Sequence, residues 1–275
     1  MAMGTLYLVA TPIGNLEDVT LRALRILREV SVIAAEDTRR TKKLLAHYEI
    51  HTSLLSYHEH NKQAQGIRLM EMLKEGDVAL VSDAGTPGLS DPGYELVRAA
   101  LESGHPITSI PGPSAPIAAL VASGLPTDAF VFLGYLPRRQ SDRRKLLESL
   151  ADAQRTLLFF EVPHRVKGTL EDLEDVFGGE RKVAICRELT KVHEEVLRGT
   201  FCQMRLHFEA VEPRGEFTLV VAGKAGTGRW QEGAVREAVK GWLAKGKSPS
   251  ETARCVAGES GWARRDVYRI IMEDK

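Results

Sequence analysis

Apolar and polar positions follow two rhythms along this chain. Residues 6–10, Leu-Tyr-Leu-Val-Ala, form an unbroken apolar run, the pattern of a strand buried on both faces. In residues 21–28 leucine recurs at i, i+3 and i+6 with arginines on the opposite side. That spacing predicts an amphipathic helix with Thr20 as its N-cap. The same reading predicts strands at 31–35, 78–81 and 107–110, and helices at 38–48, 67–73 and 94–101. Such alternation predicts an α/β fold built on a mostly parallel sheet covered by helices.

Prolines at 111, 113, 116 and 126 interrupt the rhythm. Beyond them a second α/β set is predicted, with strands at 130–133, 156–160, 183–186 and 217–222 and a helix at 165–177. Residues 224–228, Lys-Ala-Gly-Thr-Gly, read as a linker. Helices at 234–243, 250–256 and 264–272 follow, the second capped at Ser248-Pro249-Ser250 and ended by Gly258. Together they resemble a helix-turn-helix. The expected units are an N-terminal α/β domain (1–115), a second α/β domain (116–225) and a helical extension (226–275).

Composition narrows the function classes. Thirty-seven basic residues cancel thirty-seven acidic ones among 275, so no global field draws the protein onto nucleic acid. Any polyanion contact must come from local patches. Cys186, Cys202 and Cys255 are far apart, which suits reduced thiols better than a disulfide framework or a cysteine zinc site. The first apolar run stops at Thr11-Pro12, too short for a signal peptide, and no window reaches 18 apolar residues. A soluble, cytoplasmic protein is expected.

The densest chemistry lies in residues 82–93, Ser-Asp-Ala-Gly-Thr-Pro-Gly-Leu-Ser-Asp-Pro-Gly, directly after a predicted strand. Open α/β sheets bind ligands at the carboxyl ends of their strands. Glycine lets backbone approach a ligand, proline holds the loop in shape, and the segment is longer than the roughly 2–6 residues of a plain connection. Asp83 and Asp91 make it acidic, which suits a cationic or zwitterionic ligand. Neither GxxxxGK[ST] nor GxGxxG occurs. Residues 11–16 and the Pro-Gly-Pro-Ser-Ala turn at 111–115 also follow strands and are expected to line the same crevice, with residues 159–165 closing it from the second domain. Ser114 is not in a GxSxG setting, which argues against a nucleophile. Glu36-Asp37-Thr38 reads as helix capping. His58 and His60 alternate, so on a strand they would face one side, but a third ligand is not evident and no metal is expected. Arg138, Arg139, Arg143, Arg144 and Lys145 surround the single acid Asp142 and are candidates for RNA phosphate contacts.

Taken in order, TPIGNLEDVT, EDTRRTKKLL, SYHEHN, SDAGTPGLSDPG, IPGPSA, FFEVPHR, ELTKVHEEVLRGT and GEFTLVVAG closely resemble the RsmI family. Its members are small-subunit ribosomal RNA (cytidine-2′-O)-methyltransferases within the tetrapyrrole methylase superfamily. The resemblance spans about residues 4–224, and the tail looks like the family's helical extension. It implies two α/β domains with S-adenosylmethionine in the cleft between them, commonly in a homodimer. It also implies methyl transfer to a cytidine ribose in 16S rRNA, presented as free RNA or as the small ribosomal subunit. Carried onto matching positions, the implied cofactor contacts are Pro12, then Asp83, Ala84 and Gly85, then Ser114 and Ala115. Glu161 and Leu189 are looser matches. Where many tetrapyrrole methylases show GPGD and GGDP, this chain has TPIGN and DAGTP, which favours the RNA branch over a porphyrin substrate.

Transfer to a ribose hydroxyl needs in-line positioning and benefits from a base. Asp37 and His60 are the candidate bases, a role the resemblance does not assign. Because the 2′-hydroxyl distinguishes RNA from DNA, DNA is expected to be inert. Two rival readings are a tetrapyrrole-type small-molecule methylase and a non-catalytic cofactor-binding ribosome-assembly factor. For the tail, RNA docking through Arg264, Arg265 and Arg269 is expected, against a packing module cored by Trp242, Val256, Trp262 and Ile270.

Overall fold

The structure, a computed structural model, describes residues 3–224 and 230–273; most of the expected linker lies outside these. The strands β1 (Leu6–Val9), β2 (Val32–Ala35), β3 (Leu54–Ser56), β4 (Val78–Val81) and β5 (Ile107–Ile110) form one sheet. Their order is β3-β2-β4-β1-β5 and every pairing is parallel, as the alternating pattern predicts. β2 and β4, whose sequences are unbroken apolar runs, bury every residue. Helices α1 (Leu21–Glu29), α2 (Thr38–His47), α3 (Lys62–Glu75) and α4 (Tyr94–Glu102) cover the two faces. Leu24 and Leu27 of α1 pack with Ile33 and Val81 on one face, while Leu69, Leu73 and Leu96 meet Leu80 on the other. The Thr20 hydroxyl accepts the Ala23 amide at 3.1 Å and caps α1. After β1 the chain crosses towards β2, and after β4 it crosses the other way towards β5. Their connections therefore diverge, leaving a crevice at the carboxyl ends of these neighbouring strands.

The proline-rich stretch contains a helix that the pattern did not predict, α5 (Ala115–Ser123). Pro116 sits in its first turn, where a missing N–H costs no helical bond. Ala119 and Leu120 pack against Leu158, Ala184 and Val220, so α5 belongs to the packing of the second sheet. That sheet comprises β6 (Phe130–Tyr135), β7 (Thr156–Glu161), β8 (Lys182–Arg187), β9 (Glu195–Thr200) and β10 (Phe217–Val221), in the order β6-β7-β10-β8-β9. Only β6 and β7 pair in parallel; β7–β10, β10–β8 and β8–β9 are antiparallel. Parallel pairings remain the majority over the two sheets, but the second is mixed because the link from β8 to β9 is too short for a crossover. Helices α6 (Gln140–Ser149), α7 (Pro163–Phe177) and α8 (Phe201–Ala210) cover its other face through Leu147, Leu170, Phe201 and Met204.

The tail folds as α9 (Glu232–Ala244), α10 (Pro249–Ser260) and α11 (Arg264–Glu273). α10 continues through the expected stop at Gly258 and ends before Gly261, which adopts φ 67°. Val235, Val239, Val256, Val267, Ile270 and Ile271 form a core of its own, with Trp242 and Trp262 packed against it. The expected basic side of α11 is interleaved with acids. Asp266 lies 3.8 Å from Arg265 and 3.7 Å from Arg269, while Arg264 donates to the Ser250 hydroxyl at 2.8 Å. Among the described residues no helix is long and apolar enough to cross a membrane.

Candidate active site

The loops after β1 and β4 are joined directly. Thr11 and Gly85 exchange backbone hydrogen bonds, each 2.9 Å, and the Thr11 hydroxyl donates to the Ser82 carbonyl at 3.1 Å. Gly85 holds φ 84°, a left-handed conformation that favours glycine. Asp83 extends the arrangement to the loop after β2. Its Oδ1 accepts the Asp37 amide at 2.9 Å, and its Oδ2 lies 3.5 Å from the Arg40 guanidinium. Three strand ends are thus tied together, β1 to β4 through Thr11 and Gly85 and β2 to β4 through the Asp83 carboxylate.

Between this platform and the second domain lies a cavity of about 220 Å³. Glu36, Asp83, Ala84, Gly85, Asp91, Ser114 and Ala115 line one side; Tyr135, Phe160, Leu189, Lys191 and Glu216 line the other. A groove of about 360 Å³ shares Ile13, Arg40, Asp83 and Lys191 with it and adds Pro12, Gly14, Leu16 and Lys43.

Charge in the cavity is arranged unevenly. Burial pushes the Asp91 carboxyl up to about 7, helped by the nearby charges of Glu36 and Asp83 and opposed by a hydrogen bond from Ser82. Glu36 is raised as well, first by burial and then by the Asp83 charge. Lys191 is held by Glu188 at 2.8 Å and Glu216 at 3.1 Å. Cys186 is a free thiol whose burial pushes its pKa up to about 11, so it lines the cavity as an inert, small apolar group.

Asp83, Ala84, Gly85, Ser114, Ala115 and Leu189, named from the resemblance, all line the cavity. Pro12 lines the adjoining groove. Glu161 points elsewhere: its buried carboxylate accepts from the Thr169 hydroxyl at 2.6 Å and the Val162 amide at 2.9 Å, with Arg165 at 3.3 Å. Strand alternation sends the preceding residue, Phe160, into the cavity instead.

Neither candidate base lines the cavity. The Arg39 guanidinium donates to Asp37 at 2.7 Å and, with the Arg39 amide, holds that carboxyl far below the usual range. A carboxylate so stabilised is a poor proton acceptor. His60 is exposed in a turn, its ring 6.0 Å from that of His58, rather than on a strand. Among the described residues no three His, Cys, Asp or Glu side chains gather as a metal site.

The basic run divides. Arg143 is buried and donates to Asp172 at 2.7 Å, while Arg144 reaches Asp172 and Asp175, each at 2.9 Å. These two arginines hold α6 to α7: Arg143 is withdrawn from solvent, and the half-exposed Arg144 is already paired with two carboxylates. Arg138 and Arg139 are exposed. Sequence reasoning missed Tyr135, Lys191 and Glu216, while Phe160 falls in the segment expected to close the crevice. Asp91 was read only as part of an acidic loop and Glu36 only as helix capping; for Glu36, the signal was an acid directly after a parallel strand.

A parallel α/β domain and a mixed one, clasping a cavity at the ends of β1 and β4, is an architecture that defines a class of methylases. The family model for Tetrapyrrole (Corrin/Porphyrin) Methylases matches residues 5–204, and the chain belongs to this family. Its relatives narrow the class. It is 49% identical over 277 residues to Ribosomal RNA small subunit methyltransferase I of Halalkalibacterium halodurans, covering 98% of this chain and 96% of that protein. The protein of the same name from Thermotoga maritima is 49% identical over 223 residues, 81% of this chain and 100% of that one. Among solved structures, uroporphyrin-III-C-methyltransferase from Thermus thermophilus matches with a TM-score of 0.55 at 25% identity, covering 80% of this chain and 94% of that one.

The cofactor of this class is S-adenosylmethionine, and the side chains present suit it. Glu36, Asp83 and Asp91 complement a sulfonium cation, the small residues Ala84, Gly85 and Ala115 leave room, and Leu89 and Leu189 offer apolar wall.

Proposed function

We propose that this protein methylates a cytidine ribose 2′-hydroxyl of 16S rRNA, in free RNA or in the small ribosomal subunit, with S-adenosylmethionine as donor. The observation that carries the reading is the acidic cavity between the domains, continuous with a groove lined by Arg40 and Lys43. The relatives' names supply the rRNA substrate, and the motif resemblance supplies the cytidine 2′-oxygen.

The donor supplies an activated methyl group with a good leaving group. The chain's own residues do the rest. Asp83, Ala84, Gly85, Ser114, Ala115 and Leu189 hold the donor, with Pro12 at the rim. Tyr135, Phe160 and Leu189 restrict water on the second-domain side. Asp91 takes the proton from the ribose hydroxyl as the oxygen gains its methyl, because a carboxyl near 7 is matched to proton transfer at neutral pH. Glu36 keeps that carboxyl basic through its charge. Arg138 and Arg139 contact RNA phosphates from the second domain. The reading includes a cytoplasmic location and a homodimer, for which Ile117 and Val121 on the outer face of α5, 46% and 68% exposed, offer apolar surface.

Incubation with methyl-labelled cofactor and 16S rRNA, small subunits or uroporphyrinogen tests the reading. Label in either RNA form is expected. Label only in the porphyrinogen supports a small-molecule methylase, and cofactor binding without turnover on any acceptor supports an assembly factor.

A further inference from the structure

Helix α2 opens with Thr-Arg-Arg-Thr-Lys-Lys, a run that capping does not explain beyond its first turn. Its four basic residues are not equivalent. Arg39 is bound to Asp37 at 2.7 Å, and Arg40 lies 3.5 Å from Asp83. Lys42 and Lys43 are exposed and form no ion pair among the described residues. Arg40 and Lys43 are one helical turn apart and both line the groove beside the cavity. The groove's two acids are already engaged, Asp83 by Arg40 and the Asp37 amide, and Glu216 by Lys191. Its uncompensated charge is therefore positive, and it runs into the cavity through shared residues Ile13, Arg40, Asp83 and Lys191.

We propose that this groove and the basic face of α2 form the entry track for the RNA strand, with Lys42 and Lys43 contacting the phosphates that flank the target nucleotide. The occupant is a polyanion because the free charge is cationic and sequence-independent. It is a single strand because the reacting ribose must leave any duplex to reach a cavity of this size. The proposal rests on the rRNA reading above and adds the surface that delivers the substrate.

The test is the Lys42→Ala/Lys43→Ala protein, beside a Lys42→Arg/Lys43→Arg control. Alanine at exposed helical positions favours the helix, and a thermal melt confirms the fold. For methyl transfer to 16S rRNA, KM is expected to rise about tenfold with kcat within about twofold of wild type. The log–log salt slope of RNA binding should fall by about 1.4 in magnitude, two single-strand contacts. The arginine control retains wild-type values, and calorimetry shows unchanged cofactor affinity in both. Wild-type KM and salt slope in the alanine variant overturn the proposal. A wild-type protein that methylates no RNA overturns the parent reading, and the proposal with it, and is told apart by the unmutated control.

Discussion

Gly14 and Thr190 approach so closely that a β-carbon on the glycine would lie 2.7 Å from the Thr190 hydroxyl oxygen. The same carbon would stand 2.4 Å from Cγ of Lys191 and 2.9 Å from the Leu189 carbonyl. Gly14 follows β1 in the first domain, and residues 188–191 follow β8 in the second, where Glu188 and Thr190 hold positive φ angles of 49° and 67°. The Lys191 side chain is able to swing away, but the Leu189 carbonyl is backbone in a loop already held in a costly conformation.

Gly14→Ala is therefore expected to push the two loops apart. The overpacking costs about 1–3 kcal/mol of stability, and cofactor affinity falls about tenfold because Leu189 and Lys191 line the cavity. Calorimetric titration with S-adenosylmethionine and a thermal melt check both. An alanine variant with wild-type affinity would show that the contact does not shape the site.

Asp172 is fully buried and accepts from Gln140, Arg143 and Arg144. Removing one member of a buried charged network leaves the others uncompensated. Arg143→Ala is expected to cost about 3–5 kcal/mol in denaturant unfolding, and Arg138→Ala with Arg139→Ala less than about 0.5 kcal/mol. RNA affinity should follow the second pair. Equal stability losses in the two variants would contradict the division.

Asp91 carries the pH dependence. Its folded value near 7 lies above the ordinary 3.8, so the folded protein holds an extra proton between the two. Stability from that proton is present at low pH and is lost as pH rises through 7. Asp91→Asn is therefore expected to stabilise the protein at pH 8 relative to wild type, by about 1–2 kcal/mol after allowance for solvent access. The same change should slow methyl transfer by ~10²–10⁴-fold and remove the rise in rate through pH 7. Unchanged rates across pH would assign the proton to another group.

The helical tail has its own core, and the Thermotoga maritima relative is matched from end to end by 81% of this chain. Truncation after Lys224 is expected to leave cofactor affinity within about twofold and rRNA methylation within about tenfold. This reverses the docking role expected from sequence, because acids interleave the arginines of α11. A larger loss of methylation with the fold intact would restore it, and unfolding would make the tail a structural module.

Four strands of the first sheet were legible because runs such as β2 and β4 are apolar throughout and the helices between them repeat every three to four residues. β3 was not, being three half-buried residues long. β9 was not, because Glu-Val-Leu-Arg-Gly-Thr is a half-buried edge strand without an apolar run. α5 was obscured by prolines that its first turn tolerates. In the site, loops at strand ends were readable from glycine, proline and acid density. Tyr135 and Lys191 were not, because their roles arise only when a second domain closes on the first. Charge alone also misled at Arg143, whose buried partner Asp172 lies on a different helix.

The central claim is tested most directly by the position of the transferred methyl group. Small subunits are methylated with labelled cofactor by the wild-type protein and by Asp91→Asn, and the rRNA is digested to nucleosides. The label is expected on the 2′-oxygen of cytidine, in a linkage resistant to alkali, and reduced by ~10²–10⁴-fold in the variant. Label on a base carbon or nitrogen, or equal labelling by the two proteins, would contradict it.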